Sequence, residues 1–351
     1  MKSVKIVLIV ILCGLIAFLC AVLGLFLVRK GSNNGNFSLI GNKGILSTYE
    51  LLLEEEIDSV GIENIVIDYG MNSNDVIIYQ ASGDKIIVKE YVNFEADDSM
   101  KSTVEQSGDT LTVQGKKRNN SFVTNFNFSN NGYTEIYLPQ IVLENLTVTT
   151  ISGDAKSDLS FQIHNSFRVS TTSGDIRFNS VKANNLQISA VSGDIKIEEA
   201  FGELMASSIS GCISINSAEG NILLNAVSGD IQLDSLQGYF ELGATSGDIY
   251  VRNGKGYGRV NTVSGDVSIS LNELTQNLSA ETTSGEVYLR IPENASFDFE
   301  YSTTSGDCRT FFDDILSYTD KRDHAKGTYG ENSEKQIRVS TGSGDLTILQ
   351  Y

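Results

Sequence analysis

The stretch Ala226-Val227-Ser228-Gly229-Asp230-Ile231 decides the fold, because close copies of it recur along most of the chain. Ser-Gly-Asp, or Ser-Gly followed by Cys or Glu, begins at Ser152, Ser173, Ser192, Ser210, Ser228, Ser246, Ser264, Ser284, Ser305 and Ser343. From Ser192 to Ser264 each step is 18 residues. A fixed period near 20 indicates stacked structural units, since one such unit cannot bury its apolar face alone.

Apolar and polar residues alternate on both sides of each triplet. Ile222, Leu224 and Ala226 precede Ser228, and Ile231 and Leu233 follow Asp230. Alternation at period two predicts strands with one buried face. The apolar phase shifts by one residue across the triplet, which predicts a corner where the chain turns and keeps the same face inward.

Glycines predict a second corner in each repeat. They recur, 18 residues apart, at Gly202, Gly220, Gly238 and Gly256. Glycine at such a position supplies the positive φ that a tight corner needs. Each repeat is therefore predicted as a coil of two or three short strands, and stacked coils pair as parallel strands about 4.8 Å apart. The fold expected is all-β, a single-stranded parallel β-solenoid (β-helix) of about ten coils.

The chain divides into four predicted parts: a transmembrane signal-anchor helix (1–30), a linker (31–44), an N-terminal antiparallel β cap (45–140) and the β-solenoid (141–351). In the cap, the triplets at Ser82 and Ser107 are out of phase, with apolar neighbours spaced as around a hairpin. An insertion at 311–336 is expected to fold over the open end, because an uncovered strand edge recruits other chains. The last coil is expected to close the stack.

Residues 6–28 form an unbroken apolar run. The run is long enough to span a lipid bilayer and too long for the core of a signal peptide. Basic residues flank it on both sides, so they give little orientation signal. An acidic, Asn-rich β-domain after an anchor favours a single-pass protein of the cell membrane with its bulk extracytoplasmic.

The charge balance excludes one class of partner. The chain has 351 residues with 26 Lys and Arg against 44 Asp and Glu, for a net charge of −18. A body this acidic repels nucleic acid, and no basic face is visible in the sequence.

Two explanations account for the Asp that recurs at the corners. Asp and Ser side chains accept hydrogen bonds from the N–H groups of their own turn, and this explains all three residues of the triplet together. The alternative is calcium held between neighbouring carboxylates, with Asp230, Asp248 and Asp266 as candidates. Cys212 and Glu286 interrupt the series and count against a strict ladder of ions.

One outward row is a candidate for surface contact. It consists of the residue before each corner Ser, at Val191, Ile209, Val227, Thr245, Val263 and Thr283. Exposed β-branched side chains in a flat row could be a docking strip. They are also simply good strand formers, and the sequence favours that reading.

Catalytic chemistry has little support. Only His164 and His324 are present as histidines, and no metal motif, nucleophile elbow or phosphate loop occurs. Some β-helices are glycan-active enzymes, but this chain has no Trp for sugar stacking. We therefore expect neither a catalytic residue nor a cofactor.

The chain resembles a bacterial family known as "putative adhesins", a β-strand-repeat domain of unknown function that includes LiaG-like envelope proteins. The resemblance rests on the entry Ile136-Tyr137-Leu138-Pro139, on the strand and turn at 146–154 and on the recurrence of that turn to the C-terminus. It covers roughly residues 45–351 and implies a membrane-anchored envelope protein, but no reaction.

These observations predict a membrane-anchored, extracytoplasmic and non-enzymatic β-solenoid that acts as an adhesin or cell-envelope interaction protein. Its surface ligand is unknown, and the lipid bilayer is a partner through residues 6–28. The alternatives are a cation-responsive envelope sensor or scaffold and a glycan-active β-helix enzyme.

Overall fold

The computed structural model describes residues 49–70, 73–94, 96–116, 132–321, 323–331 and 333–350. The predicted membrane span at 6–28 and the linker at 31–44 lie outside these residues. Within the described parts there is no helix with the length and apolar character required to cross a membrane. These parts consist of β-strands and two single turns of 3-10 helix, at Asp98–Met100 and Asp313–Ile315, so the all-β prediction is confirmed for them.

The N-terminal part contains eight strands. They are β1 (Glu50–Asp58), β2 (Asn64–Tyr69), β3 (Asn74–Gln80), β4 (Lys85–Val92), β5 (Thr103–Ser107), β6 (Thr110–Gln114), β7 (Gly132–Leu138) and β8 (Leu143–Thr150).

The central part contains seven long strands, each of which bends around one coil. They are β9 (Ala155–Thr171), β10 (Ile176–Ala190), β11 (Ile195–Ser208), β12 (Ile213–Ala226), β13 (Ile231–Ala244), β14 (Ile249–Ser264) and β15 (Val267–Ser284). Each pairs in parallel with the next. Between β12 and β13 the register runs without a shift, so every residue stands opposite the residue 18 positions later.

The C-terminal part contains seven strands. They are β16 (Val287–Ile291), β17 (Phe297–Ser305), β18 (Cys308–Thr310), β19 (Ser317–Tyr318), β20 (His324–Tyr329), β21 (Gln336–Ser343) and β22 (Leu346–Gln350).

One continuous apolar core fills the inside of the coils. The inward positions predicted from the alternation are buried throughout the central coils, for example Leu224 and Ile231, both 0% exposed. This confirms the predicted inward phase and its shift at each corner. Burial of these side chains supplies most of the free energy that stabilises the stack, because a single coil has no core of its own.

Glycine is required at both corners by the close approach of neighbouring coils and, at the second corner, also by the backbone conformation of Gly220 and Gly238. At the Ser-Gly-Asp corner a Cβ on Gly247 would lie 2.2 Å from the carbonyl oxygen of Gly229 in the preceding coil. Coils therefore approach each other so closely here that only glycine fits. At the second corner Gly220 and Gly238 have φ of +128° and +129°, as predicted. Gly256 does not have positive φ, and the prediction is wrong there.

The antiparallel description of residues 45–140 is wrong for β2 and β3. β1 pairs antiparallel with β4, β4 with β7, and β5 with β6. In contrast, β2 pairs in parallel with β6 and β8, and β3 with β7 and β9. β2 and β3 thus form one coil of the solenoid. This coil lies between the layer of β6 and β7 and the layer of β8 and β9, although β2 and β3 precede all four of these strands in the chain.

The C-terminal end repeats this arrangement. β21 lies between the second arm of β15 and β17, and β22 lies between β16 and β18, all in parallel. The last coil in sequence is therefore not the last coil in space, contrary to the prediction. β20, from the insertion, pairs antiparallel with β17 and covers the outer edge of that strand, as expected for a cap.

Candidate functional site

The corner carboxylates form a ladder of hydrogen bonds that runs from coil to coil. Oδ1 of Asp230 accepts from the backbone N–H of Asp248 at 2.9 Å, and Oδ1 of Asp248 accepts from that of Asp266 at 2.8 Å. The same bond joins Asp75 to Asp154 and Asp266 to Glu286. The predicted acceptor role is thus confirmed, but the donor belongs to the next coil and not to the same turn.

The N–H group of the turn itself is bound by another residue. At Thr150, Thr171 and Ser208 the hydroxyl two positions before the corner Ser accepts from the glycine N–H, at 3.0, 2.9 and 2.8 Å. The same position is Ala at 190, 226 and 244 and offers no such acceptor. These hydroxyls point inward and are buried. In the sequence these positions are in phase with the apolar alternation, which predicts that they face inward but does not indicate this role.

Two members of the Asp ladder, Asp248 and Asp75, lie in surroundings that affect a pKa. The hydroxyl of Tyr250 donates to Oδ2 of Asp248 at 2.9 Å, and that bond, with burial, raises the pKa of Tyr250 to about 12. At the N-terminal end, burial raises the pKa of Asp75 above its ordinary value. The backbone N–H of Cys212 still donates to Oδ1 of Asp194 at 2.8 Å, but Cys212 has no carboxylate with which to accept from the Asp230 corner in the next coil.

Calcium binding by Asp230, Asp248 and Asp266 stays a prediction. One oxygen of Asp230, of Asp248 and of Asp266 already accepts a backbone N–H. Within the described ranges, no group of three or more His, Cys, Asp or Glu side chains is placed to hold a metal ion.

The predicted contact row is assembled in register. The backbone N–H groups of four corner residues, Ser210, Ser228, Ser246 and Ser264, donate to the carbonyl of the row residue one coil earlier, as from Ser210 to Val191 at 2.9 Å and from Ser228 to Ile209 at 2.8 Å. Val227 is 36% and Val263 49% exposed. The row, which keeps the name contact row below, is Val191, Ile209, Val227, Thr245, Val263 and Thr283, and all six side chains are at least partly exposed.

The two histidines lie on the surface. Nδ1 of His164 is 3.4 Å from the carboxylate of Glu144, and Nδ1 of His324 is 3.0 Å from that of Asp323. His164 also lines an open depression of about 660 Å³ beside the second corner, with Gln162, Lys182 and Glu219 among its other residues. Among the described residues that line this depression there is no Ser or Cys.

A second surface was missed in the sequence. Five tyrosines gather on the outer side of the N-terminal sheet, one just before β1 and the others on β3, β4 and β7. We call this the tyrosine face: Tyr49, Tyr79, Tyr91, Tyr133 and Tyr137. The strand alternation shows that these residues point outward. Their convergence depends on the pairing of β3 and β4 with β7, which the sequence does not reveal.

Together these features define the class: a repeat protein of stacked parallel β-coils with corner ladders and flat outer faces. The chain belongs to the Toastrack DUF4097 family, whose model matches residues 62–251 and 200–349. No curated protein is similar in sequence to this chain.

Several solved structures match this chain at low sequence identity. A "putative cell adhesion protein" from Clostridium sporogenes is 12% identical and matches 86% of this chain and 100% of its own, with a TM-score of 0.26. A "putative lipid binding protein" from Parabacteroides distasonis is 14% identical over 87% and 98%, with a TM-score of 0.41. A "putative adhesin" from Bacteroides fragilis is 13% identical over 87% and 100%, with a TM-score of 0.34. Likenesses this distant do not say what this chain binds.

Proposed function

We propose that this chain is a membrane-anchored adhesin or envelope-interaction protein, which acts by surface contact and catalyses no reaction. The observation that carries the proposal is the contact row. It presents β-branched side chains at one coil spacing, about 4.8 Å, along an open face. Regularly spaced side chains on a flat, rigid face suit a ligand that is itself extended and repetitive, such as a cell-wall polymer.

The anchoring part of the proposal rests on residues 6–28. Their unbroken apolar run would hold the chain in the cell membrane with the coils extracytoplasmic. Cell fractionation and protease treatment of intact cells test this. Recovery of the full chain in the soluble fraction, or protection of the coils from external protease, would contradict it.

Binding of the full chain, in detergent, to purified cell-wall polymers tests the contact role. A variant carrying Val227→Lys and Val263→Lys should bind at least tenfold more weakly, because both charges enter the contact row. Gln232→Lys is the matched control, since Gln232 points outward on the other arm of the coil. Absence of binding to every polymer would reject the proposal, and release of soluble sugar products would favour the enzyme.

A further inference from the structure

The tyrosine face is arranged around one carboxylate. Glu135 lies on β7 between Tyr133 and Tyr137, and in register with Lys89 of β4. The rings of Tyr91 and Tyr133 stack at 4.6 Å between centroids on one side of it. The rings of Tyr79 and Tyr137 lie 5.3 Å apart on the other side. The hydroxyl of Tyr137 donates to Glu135 at 2.9 Å.

Glu135 lies close enough to Lys89 to interact with it electrostatically: the hydrogen bond to Glu54 does most to raise the pKa of the Lys89 ammonium, and the charge of Glu135 adds to it. No basic side chain among the described residues forms an ion pair with Glu135. Lys89, the nearest candidate in register, pairs instead with Glu54 at 3.0 Å. Burial is the largest cause of the raised pKa of Tyr91 and of Tyr133, and the charge of Glu135 is the second. Glu135 is therefore close enough to both rings to act on them electrostatically.

The face already attracts a cation from its own chain. Nζ of Lys89 lies 5.8 Å from the ring centroid of Tyr137, within the range of a cation–π contact. Aromatic faces next to a carboxylate are the chemistry that recognises ammonium and guanidinium groups. The chain as a whole carries a net charge of −18, which also favours a cationic partner.

The spacing of the face fits an extended peptide. Alternate residues of a strand are about 6.8 Å apart, so Tyr133, Glu135 and Tyr137 present ring, carboxylate and ring at that interval. Side chains i−2, i and i+2 of an extended peptide have the same interval. The face is open and flat, with Tyr49 42% and Tyr79 38% exposed, and does not enclose a small molecule.

We propose that the tyrosine face binds an extended, Lys- or Arg-bearing segment of a partner protein, with one cationic side chain at Glu135 and its i−2 and i+2 neighbours over the ring pairs. The proposal builds on the contact role proposed above. It concerns residues that are not in the contact row, so an experiment can reject either proposal without rejecting the other.

The test measures binding of a fluorescent eight-residue peptide of alternating Lys and Thr to the full chain, by anisotropy at two salt concentrations. We expect Glu135→Gln to weaken binding at least tenfold and Tyr91→Leu to weaken it severalfold. The matched control is Glu241→Gln. Glu241 accepts from Tyr239 at 3.1 Å, and Tyr239 lies 5.4 Å from Tyr257, so the same charge is removed beside a single ring pair. This control should stay within twofold of wild type.

Three results would overturn the proposal: no binding of the peptide, equal weakening by Glu135→Gln and Glu241→Gln, or preferential binding of a neutral chitooligosaccharide that Glu135→Gln does not affect. Equal weakening would show general attraction to an acidic surface. The polymer assay with the contact-row variant is run in parallel, so failure of the adhesin proposal is read from a different variant and a different ligand.

Discussion

The backbone N–H of Asp266 donates a 2.8 Å hydrogen bond to Oδ1 of Asp248, one coil earlier. The side chain of one corner thus binds the main chain of the next, and the repeated Asp is a connector between coils. Because asparagine also has an Oδ1 acceptor, the connection does not depend on the charge.

The first prediction concerns this bond. Asp248→Asn should cost less than about 1 kcal/mol, since Oδ1 is kept as the acceptor for Asp266 and the new amide N–H can donate to the Tyr250 hydroxyl, which now donates to Oδ2. Asp248→Ala should cost about 1–3 kcal/mol, because it leaves the N–H of Asp266 without its partner. Thermal melting of the two variants against wild type checks this. Equal destabilisation by both substitutions would mean that the charge, not the hydrogen bond, matters.

The second prediction concerns calcium. Adding calcium at constant ionic strength and then a chelator should change the melting temperature by about 1 °C or less, because only a ligand that binds the folded chain stabilises it. A rise of several degrees would contradict this expectation. Loss of that rise in a variant with Asp230, Asp248 and Asp266 all changed to Asn would place the ion at the corners.

The third prediction compares two glycines of one coil. Gly247→Ala should cost about 3 kcal/mol or more, because the new Cβ meets the backbone oxygen of Gly229 at 2.2 Å. Gly243→Ala should cost about 1 kcal/mol or less, since its Cβ meets only Oδ1 of the Asn225 side chain, at 2.8 Å. Chemical denaturation measures both, and similar costs would contradict the close contact between corners.

The fourth prediction concerns the inserted C-terminal coil. Deletion of residues 336–351 removes the strands that separate β15 and β16 from β17 and β18. Amide exchange should accelerate at 278–310, whereas β10–β12 should keep their protection, because coupling in a repeat stack passes from neighbour to neighbour. Uniform acceleration along the chain would show that the stack unfolds as one unit.

The fifth prediction concerns pH. The carboxylate of Glu300 binds Lys326 and Arg338, each at 2.9 Å, and these hydrogen bonds hold the pKa of Glu300 below its ordinary value of 4.5. A lowered folded-state pKa stabilises the fold above pH 4.5, and this contribution is lost as the pH falls through the folded-state value.

Glu300→Gln should therefore lower stability at pH 7, by up to about 1 kcal/mol after allowance for solvent screening. The difference from wild type should shrink below pH 4.5. Glu273→Gln removes a pair between Glu273 and Lys255 that is more than half exposed, and it should have the smaller effect at pH 7. A pH-independent difference for Glu300→Gln would contradict the assignment.

Local pattern was enough to predict a single coil. The period of 18 residues, the inward phase of residues such as Leu224 and the turn between β5 and β6 all follow from nearby residues. The connection at 81–84 was also predicted as a hairpin and is not one, because β7 lies between β3 and β4. The residues around 81–84 do not indicate that a strand from later in the chain lies between β3 and β4.

The same limit applies to the candidate sites. The contact row is visible in the sequence because its members occupy one position of the repeat. The tyrosine face is not visible, since Tyr91 and Tyr133 are 42 residues apart and meet only through the pairing of β4 with β7. Likewise, Asp248 was correctly given a backbone partner, but the partner's place in the next coil depends on the stacking distance.

The insertion of β2–β3 and of β21–β22 one layer inside each end restricts how this protein can have grown during evolution. A duplicated copy of β2–β3 or of β21–β22 would have to enter between layers that are not consecutive in the chain. A repeat duplicated between β10 and β14 would enter between two consecutive coils that have the same strand pairing. Relatives of different length should therefore differ in the number of central repeats and keep both interleaved ends.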